Sequence, residues 1–132
     1  MNKNLSAILI DDERPAISNL TQLIQQFCKG VSIIATAENA AEGIREIQRN
    51  KPDIVFLDIE MPGGTGFDLL SCFPQRDFEV VFVTSYNRHA IKAFKYSAVD
   101  YLLKPVDIDE LIGSIDRIRQ RRIDSVKRDN LS

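Results

Sequence analysis

The chain has 132 residues, of which 44% are hydrophobic and 27% are charged, and its formal net charge is −2. This length allows one compact domain with a buried core, and the composition is that of an ordinary soluble protein, neither disordered nor membrane-embedded. Because the net charge is slightly negative, we expect no direct nucleic-acid binding by this domain.

Five short apolar segments predict the strands of a buried sheet. They are residues 7–10, 31–35, 54–57, 80–83 and 101–103. We expect each strand to be apolar on both faces, which is typical of a parallel sheet covered by helices on both sides.

Segments with helical spacing separate these strands. The apolar positions of the first, second and last segments are Ile17, Leu20, Leu23, Ile24 and Phe27, then Ala40, Gly43, Ile44 and Ile47, and finally Leu111, Ile112, Ile115 and Ile118. The alternation of strand and helix predicts an α/β protein with a doubly wound sheet. Such sheets bind ligands at the carboxyl ends of their strands.

The last residues lose this apolar periodicity and mix basic with acidic side chains. We therefore predict one domain over residues 1–118. Residues 119–132 are expected to be the end of the last helix and the start of a linker or tail.

The cysteines and the N-terminal residues bear on the compartment. Cys28 and Cys72 lie in apolar neighbourhoods far apart in the chain, so we expect reduced core thiols and a cytoplasmic protein. Near the N-terminus, a very short apolar segment is followed directly by the carboxylates of Asp11 and Asp12. This segment is too short for a signal peptide or a membrane span. The single histidine, His89, is expected on the surface of a helix.

Polar or charged side chains stand at the ends of four predicted strands. They are Asp11, Asp12 and Glu13, then Asp58, Thr84 and Lys104. If the first and third strands are neighbours, Asp11, Asp12 and Asp58 come close together and repel one another unless a cation intervenes. Mg²⁺ suits such a site, because it prefers oxygen ligands and takes others from water and phosphate.

Asp58 is the candidate nucleophile, since a carboxylate facing the ion can attack a phosphoryl donor and form an acyl phosphate. Lys104 and Thr84 offer the ammonium and the hydroxyl that a transferring phosphoryl group needs. Taken alone, Asp58 could equally be a helix cap or a turn former. The coincidence of several such strand ends favours the phosphoryl site.

Four segments resemble the receiver domain of bacterial two-component response regulators. They are ILIDDE at 8–13, DIVFLDIEMPGGTGFDLL at 53–70, VVFVTSY at 80–86 and AVDYLLKP at 98–105. The resemblance implies a flavodoxin-like, five-stranded parallel sheet of order 2-1-3-4-5 with five helices. It also implies a phosphoacceptor switch that catalyses only its own phosphorylation and dephosphorylation.

The resemblance assigns roles to the acidic residues and their neighbours. Asp58 would be phosphorylated, and Mg²⁺ would be held by Asp11, Asp12, Asp58 and the backbone carbonyl of Glu60.

Three further positions receive roles from the same resemblance. Thr84 would hydrogen-bond the phosphoryl group and Lys104 would pair with it. Tyr101 would be the aromatic residue that turns inward when the Thr84 hydroxyl moves, and the bond between Lys104 and Pro105 would be cis. A half-buried strand tyrosine with its hydroxyl in water is the alternative for Tyr101.

The partners follow from the resemblance too. A sensor histidine kinase or a small phosphodonor would supply the phosphoryl group, and no membrane partner is expected. The switch would act on the surface of the fourth helix, fifth strand and fifth helix to control an output. A homodimer on phosphorylation is a further expectation. ERPA at 13–16 and AFKYSAVDYLLKPV at 93–106 resemble regulators with a LytTR-type DNA-binding output domain, which would be absent from this chain.

Two other functions stay open at this point. One is a receiver-like interaction module that is not phosphorylated, against which the complete site counts. The other is an aspartate-nucleophile phosphatase, suggested by Asp58 and Glu60 after an apolar strand, although such enzymes carry a second aspartate and a larger core. Glu60 and Tyr86 are large side chains expected to flank the path of hydrolytic water, which predicts a long-lived phosphoryl group.

Overall fold

A five-stranded parallel sheet organises the computed structural model, which describes residues 4–131. Its strands are β1 (Leu5–Ile10), β2 (Val31–Ala37), β3 (Ile54–Leu57), β4 (Glu79–Thr84) and β5 (Asp100–Leu103). The order across the sheet is β2-β1-β3-β4-β5. The chain adds β2 on one side of β1, and then adds β3, β4 and β5 in turn on the other side. The flavodoxin-like order and the parallel direction are those predicted from the sequence.

Helices make the connections and close the chain. They are α1 (Arg14–Phe27), α2 (Ala40–Asn50), α3 (Gly66–Ser71), α4 (Ala90–Lys95) and α5 (Ile108–Leu131). Side-chain caps fix two of the starts: the Asn39 side chain accepts from the amide of Glu42, and Thr65 and Asp68 form a reciprocal capping box. Among the described residues, no helix is long and apolar enough to cross a bilayer.

The core lies on both faces of the sheet, because neighbouring residues of a strand point to opposite sides. Ile10 and Leu57 belong to one buried cluster, and Leu9 and Phe56 belong to the other. The prediction that each strand is apolar on both faces is wrong for β2 and β5, which lie at the two edges of the sheet. The residues of β2 are exposed on one face and half-buried on the other until Ala37, and in β5 Asp100 is half-buried and Leu103 is exposed.

Two further predictions need correction. Cys28 is buried, and burial raises the pKa of its thiol, but Cys72 is exposed at the end of α3 and is not a core thiol. Phe27, counted with the buried face of α1, is 40% exposed in the last turn of that helix.

Helix α5 runs unbroken from Ile108 to Leu131 and is held at the amino edge of the sheet. Arg122 Nη2 donates to the backbone carbonyls of Asp53 and Asp77, at 3.0 and 3.2 Å, and Nη1 lies 3.3 Å from the Asp53 carboxylate. The second half of the helix is therefore attached to the sheet by polar contacts. The domain boundary between residues 118 and 119 stays a prediction.

Candidate functional site

At the ends of β1 and β3, the hydrogen bonding between strands continues for one residue beyond each strand. The amide of Asp58 donates to the carbonyl of Ile10 at 2.9 Å, and the amide of Asp11 donates to the carbonyl of Ala37 at 3.0 Å. Both aspartates are therefore held one residue beyond β3 and β1, at the carboxyl edge of the sheet. Both are also buried, with 7% of Asp11 and 6% of Asp58 exposed.

Four carboxylates meet at this edge. One oxygen from each of Asp11, Asp12, Glu13 and Asp58 lies within 4.8 Å of the others. The predicted grouping of Asp11, Asp12 and Asp58 is confirmed as geometry. Glu13 was not among the predicted metal ligands, although its place beside Asp12 at the same strand end was a signal for it.

Lys104 is the cation that faces this cluster. Its Nζ lies 2.7 Å from Oδ2 of Asp11, 3.4 Å from Oδ2 of Asp58 and 3.5 Å from Oε1 of Glu13. Burial lowers the pKa of Lys104, but the hydrogen bond to Asp11 and the charges of Asp58 and Asp11 outweigh it, so the pKa is raised overall. Lys104 is therefore fixed in its charged form.

One lysine does not neutralise the four acids. Burial raises the pKa of Asp11, and repulsion from Asp58 adds to this, despite the opposing hydrogen bonds from Lys104 and from the amide of Glu13. The donor set is all carboxylate oxygen and one side is exposed at Glu13, so it fits a hard divalent cation such as Mg²⁺.

Thr84 ends the strand on the other side of Asp58. Its residue is fully buried, and its backbone carbonyl accepts from the amide of Lys104 at 2.9 Å, which keeps the ends of β4 and β5 together. The hydroxyl oxygen accepts a long hydrogen bond, 3.4 Å, from the amide of Tyr86. Thr84, Asp58 and Lys104 therefore stand at adjacent or nearly adjacent strand ends, as predicted.

The loop that follows Asp58 packs closely against it. The amide of Ile59 donates to Oδ1 of Asp58 at 2.7 Å, and the amide of Gly66 donates to the carbonyl of Ile59 at 2.9 Å. A β-carbon at Gly66 would come within 2.5 Å of the Asp58 carbonyl oxygen. This close approach explains why a residue without a side chain stands at the start of α3.

Glu60 and His89 are in contact, which the sequence did not indicate. Nε2 of His89 lies 3.1 Å from Oε2 of Glu60, and Nη2 of Arg88 lies 2.6 Å from the same oxygen. The expectation of a surface helix position for His89 is wrong: the residue precedes α4, and its side chain is only 24% exposed. The predicted ligand at Glu60 is its carbonyl, so these side-chain contacts leave that role available.

Tyr101 lies on β5 opposite Phe82 of β4. It is half-buried, its hydroxyl donates to the backbone carbonyl of Tyr86, and burial raises the pKa of its phenol. The hydroxyl therefore contacts the loop that follows Thr84, and the alternative of a hydroxyl in water does not describe it. The Lys104–Pro105 peptide bond is cis, the isomer that the resemblance implies.

Comparison with known proteins gives a consistent result. Residues 7–116 match the family model described as the response regulator receiver domain. An uncharacterized response regulatory protein of Vibrio cholerae serotype O1 is 48% identical over 115 residues, which cover 86% of this chain and 48% of that protein. The transcriptional regulatory protein BtsR of Escherichia coli K12 is 37% identical over 119 residues, which cover 89% of this chain and 49% of that protein.

Solved structures agree with the sequence relatives. The response regulatory domain of protein mrkE from Klebsiella pneumoniae has a TM-score of 0.80 and 28% identity, with 89% of this chain and 97% of that chain covered. A DNA-binding response regulator of the LuxR family from Staphylococcus aureus has a TM-score of 0.79 and 29% identity, with 87% and 98% covered.

The chain spans about half the length of the curated relatives it matches. The matched region contains four strands whole, all but the first two residues of β1, and the acidic cluster at the carboxyl edge of the sheet. The chain thus belongs to the response regulator receiver domain family.

Proposed function

We propose that the chain is a phosphoacceptor switch in which Asp58 receives a phosphoryl group in a Mg²⁺-dependent reaction. The observation that carries the proposal is the position of the Asp58 carboxylate, buried among three other carboxylates and within 3.4 Å of the Lys104 ammonium. A helix cap needs neither the acidic neighbours nor the lysine.

The transfer step is a displacement at phosphorus. A carboxylate oxygen of Asp58 forms the new P–O bond while the bond from phosphorus to the donor breaks, and the donor leaves with that electron pair. With a phosphohistidine donor, the P–N bond breaks and the imidazole accepts a proton. Lys104 Nζ, already beside Oδ2 of Asp58, would pair with the phosphoryl oxygens, and the Thr84 hydroxyl would donate to one of them.

The metal site would use Asp11, Asp12, Asp58 and the carbonyl of Glu60. A bound Mg²⁺ supplies positive charge to the phosphoryl oxygens and relieves the repulsion among the carboxylates. Burial, with a smaller contribution from the charge of Asp58, raises the pKa of Asp11, and a bound divalent cation would favour its charged form.

The switch would depend on Thr84 and Tyr101. The Tyr101 hydroxyl is bonded to the loop that immediately follows Thr84, so a movement of Thr84 toward the phosphoryl group changes the surroundings of Tyr101. Phosphorylation would then favour one arrangement of the surface formed by α4, β5 and α5.

A sensor histidine kinase or a small phosphodonor would supply the phosphoryl group, and the phosphorylated protein could pair as a homodimer. The chain itself would be no enzyme beyond its own phosphorylation and dephosphorylation. We propose an output in transcription regulation, since the relative BtsR is a transcriptional regulatory protein. The LytTR type rests on the resemblance of residues 13–16 and 93–106 alone, and one of the similar solved structures is a LuxR-family regulator. Cytoplasmic location stays a prediction.

The test is formation of an acyl phosphate. Wild-type protein incubated with acetyl phosphate and Mg²⁺ should gain the mass of one phosphoryl group, and the gain should be lost in Asp58→Asn and in EDTA. No mass gain in the wild type, with folded protein and active donor, would remove the basis of the proposal. Turnover of a phosphate ester would point instead to a phosphatase.

A further inference from the structure

The Glu60 carboxylate is held by two side chains from another loop. Oε2 of Glu60 lies 2.6 Å from Nη2 of Arg88 and 3.1 Å from Nε2 of His89. Because a carboxylate only accepts hydrogen bonds, both partners donate to the same oxygen. We call the set of Glu60, Arg88 and His89 the Glu60 clasp.

Both partners are themselves held in place. The Arg88 guanidinium lies over the ring of Tyr86, 4.4 Å from its centre, and the His89 ring meets Phe67 edge to face at 6.0 Å. Phe67 is the second residue of α3, and His89 immediately precedes α4. Arg88 and His89 are therefore each held by an aromatic side chain as well as by Glu60.

The position of the clasp relative to Asp58 follows from the strand order. Glu60 lies in the loop after β3, and Arg88 and His89 lie in the loop after β4, which is the neighbouring strand. Asp58 follows β3, the acidic residues that follow β1 lie on its other side, and Lys104, which follows β5, reaches them with its Nζ, 2.7 Å from Asp11. The clasp therefore connects the two loops that border Asp58 on its β4 side.

We infer that Arg88 and His89 are positioning residues for the phosphoryl site, which hold Glu60 so that the two loops limit access of water and phosphodonor to Asp58. This inference rests on the proposed function. The Asp58 carboxylate is only 7% exposed, so a reactant reaches it when the bordering loops separate. A reaction that needs the open arrangement proceeds in proportion to the population of that arrangement.

The size of the effect follows from the exposure of the pair. The side chains of Arg88 and Glu60 are 59% and 34% exposed, so solvent screens their attraction, and such pairs shift equilibria by about two- to fivefold. Loss of the clasp should increase the open population by this factor. Phosphorylation by acetyl phosphate and hydrolysis of the acyl phosphate should then accelerate by the same factor.

The experiment compares Arg88→Gln, Glu60→Gln and the double variant with wild type. We expect each single variant to phosphorylate and to lose its phosphoryl group about two- to fivefold faster. The double variant should be no faster than the faster single variant, since both substitutions break one contact. Glu60→Gln keeps the size of the side chain, so its acceleration separates the clasp from simple bulk.

Arg14→Gln is the matched control. Arg14 pairs with Glu38 at 3.0 Å on the same edge of the sheet, but this pair connects α1 to the loop before α2 and not the loops around Asp58. Its rates should equal those of wild type. Urea unfolding of all variants reports any general loss of stability, which would not accelerate the two reactions by one common factor.

The outcomes separate this inference from the proposed function. Acyl phosphate in wild type with unchanged rates in Arg88→Gln and Glu60→Gln overturns the role of the clasp and leaves the phosphoacceptor intact. Additive effects in the double variant, or acceleration of only one of the two reactions, also overturn it. No acyl phosphate in wild type overturns both.

Discussion

Replacing Gly66 by alanine should deform the backbone that carries Asp58. The added β-carbon would stand 2.5 Å from the Asp58 carbonyl oxygen and 3.1 Å from Cγ of Leu57. Ordinary contacts between carbon and a carbonyl oxygen begin near about 3.3 Å, so the two atoms must part by roughly 0.8 Å. The first neighbour is backbone and cannot turn away as the end of a side chain can.

The expected cost is that of overpacking a close-packed interior, about 1–3 kcal/mol of unfolding free energy. For a domain of this size, a loss of about 2 kcal/mol lowers Tm by roughly 6–10 °C. Urea unfolding followed by circular dichroism measures the first quantity, and thermal unfolding measures the second. The rate of phosphorylation by acetyl phosphate should also fall, because the displaced carbonyl belongs to Asp58 itself.

Gly113→Ala is the control. A β-carbon there meets only the Arg117 guanidinium, at 3.6 Å or more, and Gly113 lies inside α5. Alanine should therefore stabilise the protein by about 0.5–1 kcal/mol, the usual gain over glycine within a helix. If Gly66→Ala were as stable as wild type while Gly113→Ala behaved as expected, the close approach at Gly66 would not constrain the sequence.

Three further outcomes are expected. Lys51 ends α2 in the left-handed region, with φ of 48°, so Lys51→Gly should raise the unfolding free energy by about 0.5–1 kcal/mol in urea titrations, and a loss would contradict the strain. Arg122→Met should lower the unfolding free energy by about 1 kcal/mol. Arg122→Lys should lower it by almost as much, because an ammonium lacks the planar geometry of the guanidinium. If Arg122→Lys were as stable as wild type, the positive charge alone would account for the contribution of Arg122. Mg²⁺ at ten times its dissociation constant should stabilise wild type by about 1.4 kcal/mol and Asp12→Asn by less, and equal stabilisation would exclude Asp12 from the site.

The sequence was informative about the fold because strand burial and helical spacing are local properties. The β1 and β3 segments were predicted within two residues of their observed bounds, since both are fully or almost fully apolar. The edge position of β2 depends on the order of strands, which no local pattern contains. Cys72 was misassigned for a similar reason: its neighbours are apolar, but α3 ends there and the thiol faces outward.

In the candidate site, too, the residues at strand ends were predicted from the sequence and the contacts between loops were not. Asp11, Asp58, Thr84 and Lys104 were found from the sequence because parallel strands bring their carboxyl ends to one edge. The contact between Glu60 and Arg88 joins residues 28 positions apart through long side chains on loops, and loops have no periodicity from which to read it. The contacts of Arg122 were missed because α5 is attached there by hydrogen bonds after its apolar face has ended.

Because Arg122 attaches α5 at the amino edge of the sheet, a tilt of the end of this helix would take place about that point. Leu131 is nine positions after Arg122 in the chain, which is about 13 Å of helix. Each degree of tilt about that point moves the end of the helix by about 0.2 Å. A tilt of α5 about Arg122 would therefore move the end of the helix sideways, on the side of the molecule opposite to Asp58.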